Sequence, residues 1–242
     1  MNKMDFRAEL AENIFKIDNN KAIQEPEKQL GFNPYVLNNG TVAAVAGKDF
    51  CKVVGDTRSS AGYSILSRTL SKITKLTDKC VIATSGMRAD AINLHKLLQT
   101  KVKMYRTKYN KIPDISAIAQ MLANTLYNRR FFPYYTFNLL CGIDSEGVGA
   151  IYGYDAIGSY DRVNCGSMGS GSELVTPILD NQIKDHNVLY PEPPTDVSVV
   201  ENVLRDAMHA AAERDIYTGD NLEMVTIDKD GIRFESEPLR RD

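Results

Sequence analysis

The sequence predicts an α+β fold arranged as a four-layer αββα sandwich, and two observations lead there. Its elements come in segregated runs (strands, two helices, strands, two helices, strands), whereas a parallel α/β sheet would alternate them singly. Each segment of helical period shows one apolar face, so a helix pair must cover a sheet. Two antiparallel sheets face to face, with a helix pair on each outer side, bury all of these faces. The 242 residues, 43% hydrophobic and 25% charged, suffice for one large domain.

Residues 1–31 are polar, carry Pro26 and lack a sustained apolar period, so they read as a flexible extension or pro-segment ahead of a single domain over 32–242. Small and β-branched residues at 41–47 and 51–56 flank the turn Lys48-Asp49 and predict a β-hairpin. Runs 70–76 and 79–86, joined at Thr77-Asp78, predict a second hairpin. Ala91, Leu94, Leu98, Val102 and Tyr105 then recur at helical spacing, as do Ile115, Ile118, Leu122 and Leu126, with Pro113 where a helix can begin. Strands are expected over 134–144, 148–156 and around 159–165, followed by a helix over 172–182. After the proline-rich linker 190–196, a longer helix should run over 197–214 and a hairpin over 222–236, turning at Asp230-Gly231.

Twenty-nine basic against 31 acidic residues give a net charge of −2, which leaves no electrostatic footprint for nucleic acid or an anionic membrane. Partners must be recognised by shape. Cys51, Cys80, Cys141 and Cys165 lie 29, 61 and 24 residues apart, without C-x-x-C spacing, and read as reduced core thiols. No apolar stretch matches a secretory signal or reaches the ~20 residues that cross a bilayer. Cytoplasm and nucleus are therefore the expected locations, and the sequon at Asn39-Gly40-Thr41 is a chance match.

His95, His186 and His209 sit in no metal-ligand pattern, so no metal or other cofactor is expected. The run GSMGSGS (166–172) fits neither G-x-S-x-G nor G-x-G-x-x-G, since Leu174 takes the last glycine position. It reads as a glycine-rich turn leading into a helix.

Four segments taken in order are more telling: TVAAVAGKDFCKVVGDTR, KITKLTDKCVIATSG, SMGSGS and AAERDIYTGD. Together they make residues 32–240 resemble the beta subunits of the 20S proteasome, a branch of the N-terminal-nucleophile hydrolases whose fold is the αββα sandwich. The resemblance implies a site in which an N-terminal threonine, freed by self-cleavage after a glycine, attacks a peptide carbonyl. Carried onto this chain, the supporting aspartate is Asp56, the lysine Lys72, the oxyanion glycine Gly86, the serine Ser170, and the late pair Asp215 and Thr218.

The nucleophile is where the match fails. Counting back without a gap from Asp56 places Gly40 at the threonine's position and Thr41 one residue later. Glycine has no hydroxyl. For Thr41 to serve, its side chain would have to move by one strand step, ~3.3 Å, and to the opposite face of the strand. The expectation is a degenerate site with no catalytic residue.

The lead-in FNPYVLNNGT, the segment YNRRFFPYY and the ending PLRRD are most like the non-catalytic sixth position of the eukaryotic beta ring. The resemblance implies partners: the other beta subunits of a seven-membered ring, an alpha ring and the opposite beta ring. RRFFPYYTF reads equally as core or as an inter-subunit contact. Asp155 aligns with a family position facing the neighbouring subunit's substrate channel, and its plain reading is a solvent-exposed turn aspartate. The rival readings are an active threonine protease self-processed at Gly40-Thr41 and a stand-alone amidase of the same superfamily.

Overall fold

The computed structural model describes residues 34–184 and 192–242. The expected extension 1–31 and the first two residues of the expected linker 190–196 lie outside them. The element order is β1 (Thr41–Ala46), β2 (Cys51–Asp56), β3 (Ser59–Ala61), β4 (Ser64–Ser67), β5 (Ile73–Thr77), β6 (Cys80–Gly86), α1 (Arg88–Tyr109) and α2 (Ile115–Tyr127). It continues with β7 (Thr136–Ile143), β8 (Gly149–Tyr154), β9 (Tyr160–Val163), β10 (Cys165–Gly169), α3 (Ser172–Gln182), α4 (Val197–Arg214), β11 (Asn221–Asp228) and β12 (Gly231–Pro238).

One antiparallel sheet has the order β10-β1-β2-β11-β12 and the other β5-β6-β7-β8-β9. Period-two alternation divides each central strand between two cores. On β1, Val42, Ala44 and Ala46 join Val53, Val81, Leu139, Cys141 and Ile151 in the layer between the sheets. Ala43 and Val45 point the other way, into the layer that α3 and α4 close with Leu179, Leu204 and Met208. Ile82 and Leu140 face α1 and α2 through Leu94, Leu98, Ile118 and Leu122. This is the expected αββα sandwich. The four cysteines are unpaired and buried.

The helix ends follow from local chemistry. Asp114 caps α2 and Asp196 caps α4, each accepting from the amide two residues on. Met87, before α1, has no such side chain.

Three features differ from the sequence expectation. The run around 159–165 splits at Asn164: β9 finishes the second sheet, and β10 begins in the first, with Ala46 N donating to Asn164 O. Residues 166–169 are accordingly strand, paired with β1 from Thr41↔Gly169 to Val45↔Cys165, and the turn is confined to the residues just before α3. Glycine leaves no side chain to reveal a period-two face, so this strand was illegible locally. The β3–β4 hairpin was also unforeseen, because strands of three and four residues are too short to display a period. Lys72, expected on a strand, lies one residue ahead of β5.

Between the second sheet and α1 sits a buried polar chain. Thr84 Oγ1 donates to Asn138 Oδ1 at 2.8 Å, so the His95 Nε2–H donates to Thr84 at 2.7 Å, and His95 Nδ1 meets Thr74 Oγ1 at 2.9 Å. The neutral imidazole is fully satisfied. Burial, helped by the Arg88 charge, lowers its pKa to about 4. Between that value and the ordinary ~6.5 the unfolded chain binds the proton more tightly, so this stabilisation is complete above pH ~6.5 and is lost as pH falls through about 4. Thermal unfolding should show it as a loss on the order of 3 kcal/mol across that window. His95→Gln, lacking a titrating ring, should flatten the acid slope; an unchanged slope would assign it to other groups.

Candidate functional site: a lysine-filled nucleophile position

The polar residues gather at one end of the sandwich, where β1 starts and β2 ends. Asp56, the last residue of β2, is fully buried. Its Oδ1 accepts from Thr41 N at 2.7 Å and lies 3.0 Å from Lys72 Nζ. Its Oδ2 accepts from the amides of Arg58 at 3.1 Å and Gly219 at 3.3 Å. Burial raises the proton affinity of Asp56, while the Lys72 charge and the Thr41 and Gly219 amides pull it down.

Lys72 is buried and reaches this end from the stretch before β5. Besides Asp56 Oδ1, its ammonium donates to the carbonyls of Asp56 and Arg58. Three donors thus meet three acceptors.

Gly40 is what allows the lysine to sit there. Its φ is +87°, in the left-handed region. A Cβ on this backbone would lie 2.2 Å from Lys72 Cε, 2.4 Å from Nζ and 2.7 Å from Asp56 Oδ1. Position 40 therefore faces the Lys72–Asp56 pair, as the count from Asp56 predicts, but the lysine stem occupies the space of a side chain. Gly169, from β10, is equally constrained: a Cβ there would fall 1.9 Å from Gly40 O.

Thr41 faces the other way. It is fully buried, and its Oγ1 accepts from Gly171 N at 2.8 Å and bonds Thr218 Oγ1 at 2.7 Å. Thr218 in turn donates to Asp215 Oδ2 at 2.6 Å, and Ser170 Oγ donates to the same oxygen at 2.6 Å. Two clusters result, one on each side of the chain at 40–41: Gly40, Asp56 and Lys72 on one, and Thr41, Ser170, Asp215 and Thr218 on the other. Gly86 lies at the mouth, sharing a cleft of about 240 Å³ with Leu37, Tyr135, Phe137, Met168 and Ser170. Asp155 joins neither cluster. It is exposed, and its Oδ1 accepts from Ile157 N at 3.0 Å and Ser159 N at 2.8 Å, closing the turn before β9.

Sequence reasoning missed Arg58 and Asp220. The buried Arg58 guanidinium bonds Asp220 Oδ2 through Nε at 2.9 Å and reaches the carbonyls of Ile216 and Asp242, tying the last residues to this end. Arg68 pairs with the same aspartate. The Asp-Thr-Arg at 56–58 hints at such a role, but its partners lie more than 150 residues away. Among the described residues no cluster of three His, Cys, Asp or Glu could hold a metal ion.

Sandwich and charge cluster together define an architecture of the N-terminal-nucleophile type. The family model for proteasome subunits matches residues 36–227, and the chain belongs to that family. It is 49% identical over 90% of its length to proteasome subunit beta type-1 of Dictyostelium discoideum, of which 94% is covered. It is 48% identical to the Petunia hybrida protein of the same name, over 89% of this chain and 99% of that one. A probable proteasome subunit beta type-6 of Schizosaccharomyces pombe is 38% identical over 88% of this chain and 99% of its own length.

The crowding at position 40 yields a test. Gly40→Ala must displace a buried, fully bonded lysine and hold a Cβ at positive φ, and should cost roughly 2–4 kcal/mol. Thermal melting or yield of assembled particles would read the loss. An unchanged melting temperature would mean that Lys72 does not fill the position.

Proposed function

We propose that the chain is a non-catalytic beta subunit of the 20S proteasome core particle, which builds the inner ring and shapes a neighbouring active-site pocket. The observation that carries this reading is the Lys72 stem in the space that a side chain at position 40 would need. An acyl-enzyme requires a nucleophilic side chain there, and glycine supplies none. The retained Asp56 and Lys72 then act structurally, since removing one member of a buried ion pair strands its partner, and Asp215 holds the Ser170 and Thr218 hydroxyls. The names of the relatives, proteasome subunit beta type-1, support the assignment to a beta ring.

In this reading the partners are the other beta subunits of a seven-membered ring, an alpha ring and the opposite beta ring, in particles of the cytoplasm and nucleus that serve ubiquitin-dependent protein degradation. The surface supports assembly: Tyr127, Phe131 and Phe132 are exposed, Phe131 at 93%, beside Arg129 and Arg130. Such an aromatic and arginine cluster is typical of interfaces. The rival, self-processing at Gly40-Thr41, needs the Thr41 hydroxyl beside Lys72, whereas its partners are Gly171 and Thr218. Displacements of about an ångström already remove near-attack geometry.

Intact mass of the subunit from assembled particles, with and without an epoxyketone inhibitor, tests the assignment. The expected result is a chain that retains residues ahead of Thr41 and takes up no inhibitor. A chain starting at Thr41, or an adduct on it, would establish catalysis.

The second consequence acts in trans. With Asp155 on a neighbour's pocket wall, its carboxylate should favour substrates with polar or basic groups at the contacted position by about 1 kcal/mol, or a few-fold in kcat/KM. Asp155→Asn keeps the Oδ1 acceptor that closes the turn and removes only the charge. It should shift that one activity across a charged-residue peptide series and leave assembly and the other activities unchanged. Identical profiles would remove Asp155 from the pocket.

A further inference from the structure

The chain's net charge of −2 hides a separation between its two outer helix layers. α1 and α2 together carry six basic residues and one acidic, Asp90, whereas α3 and α4 carry two basic and five acidic. Lys111, just past α1, extends the basic side.

Within α1 the charge is placed around an apolar row. Asn93, Leu97, Thr100, Met104 and Thr107 recur at spacings of four and three and are all exposed, so they line one solvent-facing stripe. Met104 is 65% exposed and Leu97 39%. By helical geometry Lys96 and Lys103 flank this stripe on one side and Lys108 on the other. The half-buried Lys101 turns toward α2 instead, where its Nζ donates to Thr125 Oγ1 at 2.6 Å.

Little inside the chain answers these charges. Among the described residues, Lys96, Lys103, Arg106, Lys108 and Lys111 form no ion pair, and Asp78, which Arg106 influences, is 2.7 Å from Lys75. The α1 C-terminus accounts for Arg106 and Lys108, since cations favour the last turn. Lys96 and Lys103 lie outside that turn. Lys103 also stands three residues from Arg106, a like-charge pair that costs an isolated helix stability.

An occupant of this face must bring negative charge, and the apolar row decides its kind. A phosphate backbone would use the lysines and leave Leu97 and Met104 without contact. A protein helix uses both, as paired helices do when charges border an apolar seam. We propose that the outer face of α1 docks an acidic helix of another subunit of the particle, with apolar residues spaced three and four apart against Leu97 and Met104, and Asp or Glu side chains against Lys96, Lys103 and Lys108. The inference rests on the reading that the chain assembles with other subunits, and it is independent of the chemistry at position 40.

A zero-length carboxyl-to-amine cross-linker applied to intact particles tests it. Lys96, Lys103 and Lys108 should join Asp or Glu residues of one other subunit, three or four positions apart. The double substitution Lys96→Glu/Lys103→Glu leaves the apolar row untouched and should slow incorporation into particles by roughly tenfold. Exchanging the linked carboxylates of the other subunit for lysine should restore incorporation, which a merely structural role of the two lysines would not allow. Three results would overturn the docking face: Lys96 and Lys103 fully reactive to an amine reagent in intact particles, cross-links only to α3 or α4 of a second copy, or loss of RNA or phosphatidylserine-vesicle binding as the sole effect of the double substitution. The non-catalytic reading would survive each of them, because only an inhibitor adduct or a chain beginning at Thr41 bears against it.

Discussion

The central constraint on this structure is that its middle strands are buried on both faces. β1 and β2 lie between the opposing sheet and α3–α4, and every residue of both is buried. Water reaches neither face, so an unpaired polar side chain there would keep its full desolvation cost. The strands are accordingly built from Ala, Val, Cys and Gly. Close sheet contact narrows the choice further: a Cβ at Gly149 would lie 2.1 Å from Phe50 O. Polar function is displaced to the strand ends, and that is where Asp56, Lys72 and Thr41 collect.

The exception inside the strands is Lys52, 1% exposed on β2. Its ammonium is 2.8 Å from both Glu201 of α4 and Thr226 of β11, and Arg205 continues the chain from Glu201 to Glu237 on β12. Lys72 follows the same rule at the site. Both buried lysines are tolerated because each is paired with a carboxylate and a further oxygen acceptor, and both bind together segments distant in sequence. At position 40 the Lys72 stem lies where a Cβ would fall.

The closed end of the sandwich also explains why glycines cluster there. Gly40, Gly86 and Gly169 all have positive φ, and each places backbone where a Cβ would strike a neighbour within 2.5 Å. These close approaches let the lead-in, β6 and β10 converge on one cleft. The cleft is shaped by backbone as much as by side chains.

Local pattern alone determined most of the architecture. The 2.0 and 3.6 periods are properties of neighbouring residues, so the helices α1 to α4 and the hairpins other than β3–β4 were legible, and segregated runs implied the four layers. The count from Asp56 to Gly40 was equally local, because strand geometry makes one residue one step and one change of face. What the tertiary structure decided was every relation between distant segments. Only the folded chain shows that Lys72 fills position 40, that Thr41 answers to Thr218, and that Arg58 finds Asp220. It alone moves residues 165–169 into the first sheet and lends α1 a cap from Asn38. Such partners are chosen by three-dimensional proximity, and no periodicity in the sequence records which side chains the packing of two sheets brings within 3 Å of one another.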